Sequence, residues 1–308
     1  MKTTLSQLMA PNESPKYLFF GGKGGVGKTS ISTATAVWFA DHGFSTTIVS
    51  TDPTVSLSAM FAQEIRGDKM APIHLVPNLC GLNINPTDAK GVFQSRLNNL
   101  MGSVTNAFGK DMVSTPCAEE MATFDQFVGF LEAPPSDVVV FDTAPTGKTL
   151  RELAMPFDWA SFMEKQIRDG QELARLMNMD ESAFASLERD KRRYEHALAV
   201  LRDPATTIFS LVLLPERLPV EETQSAMSGL EKLGIPVQVL VVNQTILPEV
   251  IEGNRFLQAR AALQSGYQAE IERRFAMQAK SRLPLFDHDI SQLKALREVG
   301  QILYGDGA

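Results

Sequence analysis

The stretch "FFGGKGGVGKTSIS", Phe19 to Ser32, constrains the fold more tightly than any other part of the chain. Within it, Gly22 to Thr29 reads G-K-G-G-V-G-K-T and satisfies the phosphate-loop pattern G-x-x-x-x-G-K-[ST]. The flanks agree with that pattern. "KYLFF" (Lys16–Phe20) before the loop is short and mostly apolar, as a strand would be, and "TSISTATAVWFADHG" after it reads as a helix ending near Gly43. Glycines let backbone N–H groups turn inward around phosphate oxygens, and the helix N-terminus adds its positive end. Lys28 is expected to reach the β- and γ-phosphates and the Thr29 hydroxyl to bind Mg²⁺. Gly22, Gly24, Gly25, Val26, Gly27 and Ser30 complete the candidate nucleotide contacts. The loop pattern itself has no role for the second lysine, Lys23.

Further apolar runs follow: "TTIVS" (Thr46–Ser50), "GLNIN" (Gly81–Asn85), "DVVVF" (Asp137–Phe141), "TIFSLVLL" (Thr207–Leu214) and "VQVLVVN" (Val237–Asn243). Most are continuous rather than alternating, as in parallel strands buried on both faces. Helical stretches lie between them, so the expected class is α/β, a doubly wound, mostly parallel sheet. Two connections are too long for simple crossovers. We read 86–136 and 152–205, with "SRLNNLMGSVTNAF" and "EKQIRDGQELARLMNM", as helical insertions that form a subdomain. Residues 1–85, 137–151 and 206–308 then make the nucleotide-binding core.

Two strand ends carry carboxylates in the order a nucleotide site needs. Asp142 ends "DVVVFD" and suits a Mg²⁺ held through water; Asp52 ends "TTIVSTD" and suits orientation of an attacking water. Asn243 ends "VQVLVVN", where its amide suits an adenine edge or a turn.

The net charge of −7 opposes general nucleic-acid binding, and the basic run Arg189–Arg193 reads as a solvated helix face among acidic neighbours. No stretch is long and apolar enough to span a bilayer, and the N-terminal residues are too polar for a secretory signal, so a cytoplasmic location is expected. The only cysteines, Cys80 and Cys117, form no disulfide framework and no C-x-x-C. Cys80, in or beside a strand, reads as an ordinary core residue.

The loop with its early lysine resembles the deviant Walker A loop of one branch of P-loop ATPases. That branch includes the arsenical pump ATPase, the tail-anchored-protein targeting ATPase, the nitrogenase iron protein and the Min/Par positioning ATPases. "STDP" after the second strand, "DTAPTGKTLR" (Asp142–Arg151) and Asn243-Gln244 narrow the resemblance to the first two, over nearly the whole chain. The resemblance implies an ATP hydrolase working as a homodimer, in which Lys23 enters the partner's site and stabilises charge on its phosphates. Cys117, in "STPCAEEMATFDQF" (Ser114–Phe127), falls on a cysteine that binds trivalent arsenic or antimony in the arsenical pump ATPase. A soft metalloid needs a thiolate, and a homodimer would supply two. The implied activity is a metalloid-stimulated ATPase at the membrane, with an arsenite permease and a metallochaperone as partners. The competing implication is targeting of tail-anchored membrane proteins. There are departures. Lys148 stands where the family usually has His, Thr54-Val55 follow the Asp-Pro, and the later metalloid cysteine of the family has no counterpart.

Overall fold

All six apolar runs become strands of one eight-stranded sheet with the order β3-β4-β2-β5-β1-β6-β7-β8. The computed structural model describes residues 4–12, 15–51, 57–65, 69–84, 91, 95, 118–143, 153, 164–165, 167–168 and 185–305. The strands are β1 (Lys16–Gly21), β2 (Thr46–Ser50), β3 (Ala71–Pro72), β4 (Leu79–Asn83), β5 (Val138–Asp142), β6 (Thr207–Leu213), β7 (Val237–Thr245) and β8 (Ala279–Pro284). Every neighbouring pair is parallel except β3 with β4. The chain divides into two compact units. One comprises Met1–Asn83, Pro135–Thr149 and Arg202–Ala308; the other comprises Ile84–Pro134 and Leu150–Leu201.

The first unit holds the sheet. Strand pleating sends Leu18 and Phe20 to one face and Phe19 to the other. Leu18 and Phe20 join a core with Val138, Val140, Ile208 and Val212. Phe19 stacks on Phe141 and Phe209 of the adjacent strands, with ring centroids 4.4 and 4.6 Å apart. Those three rings are register partners across β5, β1 and β6, so parallel pairing itself builds the stack. Helix α2 (Lys28–Asp41) is buried on nearly every side, which explains why its sequence shows no polar stripe. It ends with Gly43 at φ +90°, a conformation a side chain would resist. Helix α8 (Leu293–Tyr304) is amphipathic, burying Leu296, Val299, Gly300 and Leu303 at helical spacing. Gly300 permits the close crossing with α2, because a Cβ there would lie 3.1 Å from Trp38 Cβ. Tyr304 hydrogen-bonds Thr35 of α2 at 2.7 Å across the same contact.

Three strands differ from the expectation, the first being β3, a two-residue strand antiparallel to β4 that no apolar run marked. β8 was not legible, because Lys280, Ser281 and Arg282 interrupt any apolar run and only Leu283 is buried. It is an edge strand, where polar side chains are ordinary. β4 begins at Leu79 rather than Gly81, which puts Cys80 inside the strand opposite Thr47 and Pro72, partly buried and free.

In the second unit, helices α4 (Ala118–Glu132) and α5 (Ala185–Arg202) bury Phe124, Phe127 and Val128, and Tyr194, Ala197 and Leu198. The basic run is a solvated face only in part. Lys191 and Arg192 meet Glu195 and Glu188 one turn away. Arg193 instead turns inward to the Asp125 carboxylate at 2.6 Å and also pairs with Glu132. Burial alone would lower the Arg193 pKa, but the two carboxylates outweigh it and raise it. Tyr194 donates to the same Asp125 oxygen at 2.8 Å. The Phe-Asp-x-Phe segment is thus a helix-to-helix lock.

Candidate functional site

In an open α/β sheet, ligands sit at the carboxyl ends of the strands, where the direction of winding reverses. Here β1 leads through α2 to β2 on one side, and β6 lies on the other, so the reversal falls at β1 and β5. Gly22 to Thr29 and Asp142 stand at those two strand ends.

The loop is shaped by close approaches. Gly22 has φ +142°, and a Cβ there would lie 2.3 Å from the Val212 carbonyl oxygen at the end of β6. Gly27, at φ +95°, is the N-cap of α2; its Cβ would lie 2.5 Å from Asn243 Nδ2. Neither position accepts a side chain without moving backbone or a buried amide. Asn243 closes the loop from β7. Its Nδ2 donates to the Val26 carbonyl at 2.9 Å, and its Oδ1 accepts from the Gln244 N–H. The sequence suggested an adenine edge or a turn for this amide; in the structure it bonds the phosphate loop and its own turn. That turn is itself braced. Gln244 has φ +56°, and buried Gln264 bonds both the Gln244 carbonyl and the Ile246 N–H.

The first turn of α2 supplies the charged and hydroxyl groups. Lys28 is 5% exposed, and its Nζ donates to the Lys23 carbonyl at 3.2 Å. Thr29 Oγ1 donates to Asp142 Oδ2 at 2.8 Å. Ser50 Oγ donates to the same oxygen at 3.2 Å, because Ser50 and Asp142 are register partners across β2 and β5. Asp142 is completely buried. A hydroxyl and a carboxylate oxygen in contact make a hard donor set, the kind that suits Mg²⁺ rather than a soft metal. Backbone bonds fix the frame: Thr51 N–H to Asp142 C=O at 3.0 Å, and Thr143 Oγ1 to Phe20 C=O at 2.8 Å.

Lys23 stands apart from these. Its side chain is exposed, and its Nζ lies 2.9 Å from Glu222 Oε1 on helix α6 (Arg217–Lys232). Gly24 and Gly25 are exposed beside it, whereas Val26 is buried in the core. Ser30 is partly exposed on the first turn of α2. Asp52, Cys117 and Lys148 lie outside the described residues. Sequence reasoning missed Ser50, Gln264 and Glu222. Ser50 had a usable signal, a hydroxyl at a strand end two positions before Asp52 in sequence. Glu222 had none, being about 200 positions from Lys23. Among the described residues, no helix is long and apolar enough to cross a membrane, and no three His, Cys, Asp or Glu side chains gather as a metal site.

A family model described as "Anion-transporting ATPase" matches residues 15–305. Over 98% of its length the chain is 37% identical to a provisionally named arsenical pump-driving ATPase of Halobacterium salinarum, covering 46% of that protein. It is 37% identical over 74% of its length to the arsenical pump-driving ATPase of Escherichia coli, covering 39% of it. With ATPase GET3C of Arabidopsis thaliana the identity is 32% over 94% of this chain and 82% of that protein. The chain therefore spans less than half the length of these two arsenical-pump relatives and most of the length of the third.

Proposed function

Because this chain belongs to the anion-transporting ATPase family, we propose that it is a Mg²⁺-dependent ATPase stimulated by arsenite or antimonite, driving metalloid extrusion through a membrane pump. The observation that carries the nucleotide part is the 2.8 Å contact between Thr29 Oγ1 and Asp142 Oδ2 at the start of α2, beside Lys28. Thr29 would hold the metal directly and Asp142 through water, and the metal would neutralise phosphate charge. Lys28 would exchange the Lys23 carbonyl for the β- and γ-phosphates. The positive end of α2 would add a fixed partial charge there. Asp52 would orient the attacking water. Lys23 would serve the phosphates of a second copy of the chain, so that hydrolysis needs a homodimer.

The cargo part is supported by the names of two relatives and by Cys117, a thiol where the sequence resembles a metalloid-binding segment. Trivalent arsenic and antimony are substrates here. One thiolate from each copy would couple metalloid capture to closure of the dimer, which also brings each Lys23 to its target. A cytoplasmic protein docking on a membrane permease follows from that reading, with a metallochaperone as donor. Targeting of tail-anchored membrane proteins is the second reading. It is favoured by the clustering of seven of the 13 methionines between Met101 and Met179, since adaptable Met-rich surfaces suit varied apolar segments.

The test is ATP hydrolysis with and without arsenite, on the natural chain and on Cys117→Ala. Arsenite should raise the rate of the natural chain, and the substitution should remove that rise. The rise should shrink as pH falls, because protons compete with the metalloid for the thiols. A natural chain indifferent to both metalloids rejects the cargo reading. Co-purification with a tail-anchored membrane segment then becomes the deciding assay.

A further inference from the structure

We propose that Glu222 is a positioning residue that controls when the Lys23 ammonium becomes available to a phosphate chain. The inference rests on the role proposed above for Lys23. Two groups hold Lys23 within its own chain. Its ammonium lies 2.9 Å from Glu222 Oε1, and its carbonyl receives Lys28 Nζ at 3.2 Å. The pairing follows from a fixed frame. Gly22, the preceding residue, is seated so closely on the Val212 carbonyl that a Cβ would lie 2.3 Å from it. Val212 belongs to β6, the strand that leads into α6, so the backbone at Lys23 and the helix bearing Glu222 share one support.

A carboxylate and a phosphate compete for the same ammonium. While Glu222 holds Lys23 back on its own chain, Lys23 cannot extend to a second copy. Lys28 connects this competition to nucleotide. When Lys28 moves onto phosphate oxygens, the hydrogen bond on the Lys23 peptide is lost, and the residue that must leave Glu222 is loosened. Nucleotide engagement and release of Lys23 thus act on one residue.

The strength of the hold is modest. Both side chains are more than 40% exposed, and an ion pair of that exposure alters an equilibrium roughly two- to fivefold. That scale suits a bias that nucleotide and a second copy can overcome.

Glu221 provides a control, because it carries the same charge one position away but pairs with Arg274 at 2.9 Å. ATP hydrolysis at low protein concentration, without metalloid, should rise roughly two- to fivefold in Glu222→Gln and not in Glu221→Gln. ATP-dependent self-association should strengthen by the same factor. The ratio of variant to natural rate should fall toward one between about 0.05 and 0.5 M salt, as the pair is screened. A merely structural role would move none of these in that pattern. An unchanged or lowered rate in Glu222→Gln, or an equal rise in Glu221→Gln, overturns the proposal. Lys23→Ala, assayed in parallel, separates the two layers. If it is inactive while Glu222→Gln stays at the natural rate, only the hold is wrong. If Lys23→Ala hydrolyses ATP normally, the role of Lys23 fails and the hold with it.

Discussion

Two buried aspartates, one in each unit, are held in different ways. Asp142, at the end of β5, accepts hydrogen bonds from the Thr29 and Ser50 hydroxyls. Asp125, on α4, accepts the Arg193 guanidinium and the Tyr194 hydroxyl. A hydroxyl orients a carboxylate and brings no charge to it; a guanidinium brings a full one. The first arrangement fits the metal-positioning role proposed for Asp142, and the second uses the charge to tie two helices together. Burial alone therefore says little about which aspartate acts in a reaction. The donors around it say more.

Substitution by the isosteric amide should separate the pair. Asp142→Asn still accepts from Thr29 through its remaining oxygen, so folding stability should change by less than about 1 kcal/mol. Its rate of Mg²⁺-dependent phosphate release should fall roughly a thousandfold, and that of Lys28→Ala at least as far. These are the largest effects expected. A near-normal rate in either variant breaks the comparison, because Asp142 would then be another structural carboxylate.

Asp125→Asn should show the reverse. The amide cannot balance Arg193, and removing one partner of a largely buried pair costs about 3 kcal/mol, the lower end for such changes because Glu132 remains. The urea midpoint should drop accordingly, while affinity for a fluorescent ATP analogue stays within about twofold, since Asp125 stands outside the phosphate-loop motifs. A loss of nucleotide affinity without a loss of stability would place Asp125 on the functional side.

The two aspartates were also unequally legible. Asp142 announced itself, because a carboxylate ending the continuous apolar run "VVVF" has a standard place after a phosphate loop. The central strands were legible for the same reason: a strand buried on both faces needs no partner to be recognised. Asp125 could not be read that way. Its partner is 68 positions away, and Arg193 sat inside a charge run that looks solvated. The edge strand β8, the Ser50 bond set by register, and the Lys23–Glu222 pair share that obscurity. Each depends on what a distant segment places alongside. Local sequence reveals an apolar period or a glycine pattern, and it is silent about which long-range neighbour a polar side chain will meet.

The smallest effect calibrates the other two with a buried polar group that is neutral. Tyr304 is buried, and its hydroxyl lies 2.7 Å from Thr35 Oγ1. Thr35 already donates its one proton to the Ile31 carbonyl at 2.8 Å, so Tyr304 must be the donor to Thr35. Burial raises the pKa of the phenol, so the folded chain keeps this proton at pH values where a free tyrosine loses it. Tyr304→Phe should therefore cost about 1 kcal/mol at pH 7, the worth of one neutral hydrogen bond. The sign changes in alkali. A group whose folded pKa is raised contributes stability below its unfolded pKa, near 10 for tyrosine, and loses it as pH climbs toward the folded value. Above about pH 10 the unfolded natural chain gains a stabilising ionisation at Tyr304 that the phenylalanine variant lacks. All other titrating groups are common to both chains, so the difference between them isolates this residue. Urea unfolding of the two chains at pH 7, 9 and 11 should show the variant's deficit constant at first and then closing. A deficit that persists unchanged at pH 11 would mean the phenol ionises equally in both states, and the buried hydrogen bond on the back of α2 would have to be given up.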